Sequence, residues 1–166
     1  MQITMRPAVR EDEAFLWQML THAASMDAPL EEAIASAKID PSLEGYVRAW
    51  GTRDGDVGVI ACSHDGAALG AAWVRAGKPG VPGAIVAPGI AELAIATRPE
   101  ARGLGLGTRM LEALVVAARA HHREIVLSMR ETNPAIRLYE RAGFVLEREI
   151  VNRVGGRSFA MRRAIA

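Results

Sequence analysis

Between an apolar run at Glu92 to Thr97 and a longer one at Leu106 to Ala120, the chain reads Arg102-Gly103-Leu104-Gly105-Leu106-Gly107. No other stretch constrains the fold as much. Glycine tolerates the left-handed backbone of a tight turn and lets a ligand approach the main chain closely. The helix that follows begins with N–H groups that have no acceptor within the helix. A strand that turns into a helix through such glycines forms a cradle for an anion, with a phosphate group as its natural occupant.

The spacing excludes two common phosphate loops. A dinucleotide fingerprint built on Gly103 and Gly105 needs a third glycine at position 108, where Thr108 stands. A P-loop needs Lys-Ser or Lys-Thr after the glycines, and the only lysines, Lys38 and Lys78, lie upstream.

Periodicity organises the rest of the chain. Gln2 to Pro7 alternates as an edge strand, and Arg10 to Ala24 places Phe15, Leu16, Met19, Leu20 and Ala23 at helical spacing. Pro29 opens a second helix, Leu30 to Ala37, which Asp40-Pro41 ends; Pro41 to Asp56 is irregular. Val57 to Ser63 and Ala67 to Ala76 form a hairpin across His64-Asp65-Gly66. The run from Gly77 to Gly83 is a loop. In the helix after the glycines, Leu106, Met110, Leu114 and Ala117, with Leu111, Val115 and Ala118 beside them, face a sheet while Arg109, Glu112 and Arg119 point away. Glu124 to Arg130 is the next strand, parallel to the one before the glycines by a right-handed crossover, which puts the cradle at a strand's carboxyl end. Phe144 to Val151 and Arg157 to Arg162 close the chain as a hairpin around Gly155-Gly156. The fold class is α/β with a mixed sheet.

Arg102, Gly105 and Gly107 satisfy Arg-x-x-Gly-x-Gly, and Asn133-Pro134-Ala135-Ile136-Arg137-Leu138-Tyr139-Glu140-Arg141-Ala142-Gly143-Phe144 follows the next strand. Together, over Ile90 to Val151, these segments resemble the acyl-CoA site of the GNAT superfamily of N-acyltransferases. In many members one more residue separates the Asn from the Ala. The resemblance implies a single-domain fold over residues 1–166, with a central sheet of about six to seven strands flanked by about four helices. It implies acetyl-CoA as acyl donor, no metal, and transfer of the acetyl group to a primary amine of a small molecule or peptide by direct attack. Arg102 and the amides of Gly103, Leu104, Gly105, Leu106, Gly107 and Thr108 would hold the diphosphate. Ile95, Ala96 and Thr97 would pair with the pantetheine arm, and Asn133 would contact the cofactor.

Tyr139 matches the position from which family members protonate the departing thiolate, and a phenol with an ordinary pKa of about 10 holds that proton at neutral pH. The alternative for Tyr139 is core packing beside Leu138 and Phe144. Glu92 is the acid nearest the acyl end and the candidate to take the amine's proton, against the reading of an exposed strand-end glutamate. His121 and His122 read as caps of the long helix, Ser128 as structural, Cys62 as core filler, and Trp17, Trp50 and Trp73 as core before acceptor-pocket wall. The competing function is a non-catalytic acyl-CoA-binding regulatory module, which needs the cradle but not Tyr139.

Composition sets the remaining expectations. A net charge of +1 argues against a nucleic-acid partner, yet residues from Arg98 onward carry thirteen arginines against seven glutamates. Asp27 to Asp56 carries seven acids against three basic residues. The signs suit an anionic cofactor and a cationic acceptor. With one cysteine, early charges and no long apolar run, the reading is a cytoplasmic protein with no membrane partner and no disulfide; a homodimer is compatible with it.

Overall fold

The computed structural model describes residues 2–77, 87–151 and 155–166. Its strands are β1 (Ile3–Pro7), β2 (Val57–Ser63), β3 (Ala68–Ala76), β4 (Ile90–Thr97), β5 (Glu124–Arg130), β6 (Val145–Val151) and β7 (Arg157–Ala164). Its helices are α1 (Glu13–Ala23), α2 (Leu30–Ile39), α3 (Leu106–Ala118) and α4 (Ile136–Arg141). Among the described residues the seven strands form one sheet in the order β1-β2-β3-β4-β5-β7-β6. Every pairing is antiparallel except that of β4 with β5. This is the mixed sheet with four helices that the sequence predicts.

Local signals explain most boundaries. Asp12 accepts the Val9 N–H at 2.7 Å and pairs with Arg6 at 2.8 Å, so Arg10–Asp12 forms a 3-10 turn before α1 begins. Asp40 accepts the Ser42 N–H at 2.8 Å and ends α2 in an Asx turn. Gly66, at φ +86°, makes the reversal between β2 and β3. The loop expected at Gly77 to Gly83 lies, beyond Gly77, outside the described residues.

Both faces of the central strands are buried. Ala71 and Trp73 of β3 pack under α1 with Leu16, Met19, Trp50 and Ile60. Ala72 and Val74 pack under α3 with Met110, Leu114, Ile125 and Met161. Strands covered on both sides read as apolar runs, as β2 to β4 do. One expectation fails: Ala117 is exposed, while Ala118 beside it is buried as the apolar face requires. The buried stripe of α3 advances in steps of four through Leu106, Met110, Leu114 and Ala118, which leaves Ala117 on the helix flank. No helix among the described residues is long and apolar enough to cross a membrane.

Candidate active site

The cradle forms where β4 ends. A 3-10 turn at Pro99–Ala101 leads into Arg102, and Gly103 (φ +81°) and Gly105 (φ +72°, ψ +18°) take left-handed conformations. Gly105 is the N-cap of α3, whose first turn has no acidic residue and no side-chain cap. The first N–H groups of a thirteen-residue helix are thus left for a ligand. They border a cavity of about 260 Å³ lined also by Thr97, Arg102, Thr108, Leu138 and Arg141. Leu104 stands 46% exposed outside that lining.

The three glycines do two different jobs. A Cβ at Gly103 or Gly105 would meet no atom within 4 Å, so these residues serve turn geometry and leave space in the cradle. A Cβ at Gly107 would lie 2.9 Å from Leu138 Cδ2, so Gly107 lets α4 pack against α3. Gly107 also lines the cavity, so its missing Cβ serves the packing of Leu138 beside its place in the cradle.

Positive charge gathers here from elements distant in sequence. Arg102 comes from the loop and Arg141 from α4. At the end of β4 the Arg98 guanidinium lies 5.4 Å from the centre of the Phe15 ring, and its Nε is buried without a partner among the described residues. His22, in the last turn of α1, is held below the usual imidazole range by burial first, then by Arg102 and Arg98, against an opposing pull from Glu100. An uncapped helix start and the two arginines of the cavity lining fit a diphosphate. Neither His22 nor Arg141 was singled out from the sequence, because each joins the loop only through the folding of a separate helix.

From the cradle, β4 leads to an opening in the sheet. β4 pairs with β5 only at Ile90, Ala91 and Glu92, whereas β3 follows β4 to Thr97 and β7 follows β5 to Arg130. Past Glu92 the two parallel strands part. The Arg98 N–H donates to the Leu69 carbonyl at 2.8 Å. Because main-chain groups alternate along a strand, Ala96 faces β3, while Ile95 and Thr97 turn theirs toward the opening. Of the three residues expected to pair with the cofactor arm, Ala96 therefore has its backbone engaged already.

Glu92 sits at the apex of this opening. Its side chain shares a face with Ala94 and Ala96, which pack toward α1. Its Oε2 accepts a hydrogen bond of 2.8 Å from the Tyr46 hydroxyl. Burial, and after it the Glu92 charge, pushes the Tyr46 phenol far above its ordinary value. Tyr46 escaped the sequence reading because it lies in the irregular segment after α2, where no periodicity marks a side chain.

Tyr139 is 7% exposed and packs in the α3-side core, its ring edge-on to Phe144 at 6.0 Å. Burial raises its phenol to about 12. Its neighbours Leu138 and Arg141 line the cavity. Asn133 Oδ1 accepts the Ala135 N–H at 2.8 Å, so that oxygen initiates the turn into α4. Trp17, Trp50, Trp73 and Cys62 are buried in the α1-side core, and Ser128 is exposed. His122 departs from its expected capping role: its ring is buried, with Nε2 2.8 Å from the Gly55 carbonyl, and ties the end of α3 to the segment before β2. Among the described residues no three His, Cys, Asp or Glu side chains are grouped to hold a metal ion.

Comparison with known proteins follows this geometry. No curated protein matches the chain. A GNAT-family acetyltransferase structure from Desulfovibrio desulfuricans is 23% identical, with a TM-score of 0.68 over 99% of this chain and 100% of that one. A phosphinothricin acetyltransferase from Sinorhizobium meliloti, solved with acetyl-CoA, is 21% identical, with a TM-score of 0.67 over 99% and 89% of the two chains. A spermidine N-acetyltransferase chimera from Vibrio cholerae and hSSAT is 19% identical, with a TM-score of 0.70 over 99% and 96%. These likenesses show the fold. The profile of the acetyltransferase (GNAT) family matches residues 12–144, most of the sequence, and the chain belongs to that family.

Proposed function

We propose that this acetyltransferase moves an acetyl group from acetyl-CoA to a primary amine by direct attack, within a single domain spanning residues 1–166. The observation that carries the reading is the parting of β4 from β5 between the cradle and Glu92. Amides at the start of α3, with Arg102 and Arg141, hold the diphosphate. Ile95 and Thr97 offer main-chain groups to the pantetheine arm, and Asn133 adds a contact through its amide nitrogen. From Thr97 back to Glu92 the strand spans about 17 Å, at roughly 3.3 Å per residue, so an extended arm brings its thioester toward the apex.

Glu92 takes a proton from the acceptor ammonium, leaving a neutral amine whose lone pair attacks the thioester carbonyl carbon. The carbon–sulfur bond then breaks, and Tyr139 donates its phenolic proton to the departing thiolate. The former amine nitrogen, which carries one proton too many for an amide, returns that proton to the Tyr139 phenolate through solvent, while Glu92 releases its own to bulk water. Holding both reactants at one apex replaces a bimolecular encounter with an intramolecular step. Two neighbours of similar fold support an amine acceptor by their own substrates, spermidine and phosphinothricin. One buried cysteine suits a reducing, cytoplasmic setting.

The test measures thiol release from acetyl-CoA over a panel of amines, with CoA binding followed by calorimetry. Tyr139→Phe and Glu92→Gln are expected to keep CoA affinity and lose turnover by about 100-fold or more, the usual scale of acid–base catalysis. Saturable CoA binding without thiol release from any amine would favour the regulatory module. Absence of CoA binding by folded protein would defeat both readings.

A further inference from the structure

The Tyr46–Glu92 contact is the half-buried end of a buried polar network. Arg75 and Glu92 are cross-strand partners on β3 and β4, so their side chains leave the sheet on the same face. Arg75 is 2% exposed. Its Nε and Nη2 grip the Asp56 carboxylate at 2.8 and 2.9 Å. Its remaining N–H groups donate to the carbonyls of Gly45 at 3.2 Å, Arg48 at 2.7 Å and Ala49 at 3.1 Å. One strand residue away in side-chain register, Trp73 Nε1 donates to the Tyr46 carbonyl at 2.9 Å. Two side chains of β3 therefore fix the main chain on both sides of Tyr46.

A buried arginine could satisfy its donors on any nearby carbonyls, but here three of them belong to the short turn that presents a tyrosine hydroxyl to a carboxylate at the strand opening. We infer that Tyr46 is a positioning residue for Glu92, anchored through its backbone by Arg75 and Trp73, and that it sets the carboxylate orientation met by the acceptor amine. The inference rests on the reading of Glu92 as the proton acceptor. Burial keeps the Tyr46 phenol protonated, so it remains a donor to Glu92 throughout the range in which an amine acetyltransferase would be assayed.

A double-mutant cycle on the full chain tests it, using Tyr46→Phe, Glu92→Gln and their combination, with steady-state kinetics and CoA calorimetry. Tyr46→Phe is expected to lower kcat about 10- to 100-fold, the scale of a misplaced catalytic group, while the KM for acetyl-CoA and the CoA affinity stay unchanged. In the Glu92→Gln background, Tyr46→Phe causes no further loss, since the two act as one unit. Glu92→Asp, which draws the carboxylate away from Tyr46 without altering the turn, reproduces the Tyr46→Phe defect. If Glu92→Gln abolishes turnover but Tyr46→Phe leaves kcat unmoved, the positioning inference is overturned and the role of Glu92 survives. If Glu92→Gln itself turns over normally, the role of Glu92 falls and the inference with it.

Discussion

Replacing the cradle glycines one at a time by alanine separates what the backbone needs from what the ligand needs. At Gly105, φ +72° and ψ +18° place an alanine in the left-handed region, costing about 1–2 kcal/mol. The new Cβ meets no protein atom within 4 Å, so no steric term adds to that cost. For a chain this long, each kcal/mol lowers the melting temperature by about 2–4 °C, which predicts a fall of about 2–8 °C. Because the same Cβ stands at the cavity wall, CoA affinity measured by calorimetry should fall at least about tenfold, or 1.4 kcal/mol. At Gly107 the signs differ. Alanine gains roughly 0.5–1 kcal/mol of helix propensity, but its Cβ would press Leu138 Cδ2 at 2.9 Å. In a Leu138→Ala background that contact is gone, and Gly107→Ala becomes stabilising. If Gly105→Ala loses stability yet binds CoA as tightly as the parent, the amides do not hold the diphosphate. An unchanged melting temperature would refute the conformational argument.

Three other perturbations probe the frame around the site. Arg75→Met leaves the Asp56 carboxylate, itself 2% exposed, without its counter-ion and should cost about 3–5 kcal/mol in urea unfolding; a loss below about 1 kcal/mol would show that the network does not hold the turn. Both tyrosines carry phenols raised by burial, Tyr139 to about 12, so the unfolded chain releases these protons first. Stability should then be constant up to about pH 10 and fall as pH rises toward the folded values; a tyrosinate absorbance appearing near pH 10 in folded protein would contradict the burial argument. Arg141→Ala removes an exposed charge from the cavity lining, and should weaken CoA binding by about 1.5–3 kcal/mol while sparing the melting temperature. An unchanged CoA dissociation constant at low salt would remove Arg141 from the ligand.

What the sequence revealed was set by local physics. The hairpin of β2 and β3 announces itself through Asp65-Gly66, and β5 through an apolar run bounded by turns at both ends. The cradle was legible because left-handed turns at Gly103 and Gly105 leave a mark in residue type. Pairings across the chain leave no such mark. Tyr46 and Glu92 are 46 positions apart, and nothing in the spacing around either one signals the other. Arg75 closes β3 with a residue that reads as a polar strand end, yet it is 2% exposed because the irregular segment folds back over it. Tyr139 shows the reverse: its sequence context suggested chemistry and core packing together, and its burial against Phe144 satisfies the packing side directly.

The opening between β4 and β5 combines both kinds of information. A parallel crossover brings the two strands together at Ile90 to Glu92, and pairing stops there although each continues for several residues against its other neighbour. Main-chain groups on the facing edges beyond that point need partners, because an unmet N–H or C=O away from water costs about as much as a lost hydrogen bond. A linear ligand with amide groups at alternating positions can supply them without closing the gap. The same parting that makes the sheet incomplete thereby suits an extended, hydrogen-bonding cofactor arm, whose far end the proposed reaction brings to Glu92. Filling the gap with protein would satisfy the backbone equally well and remove the place where the reaction is proposed to occur.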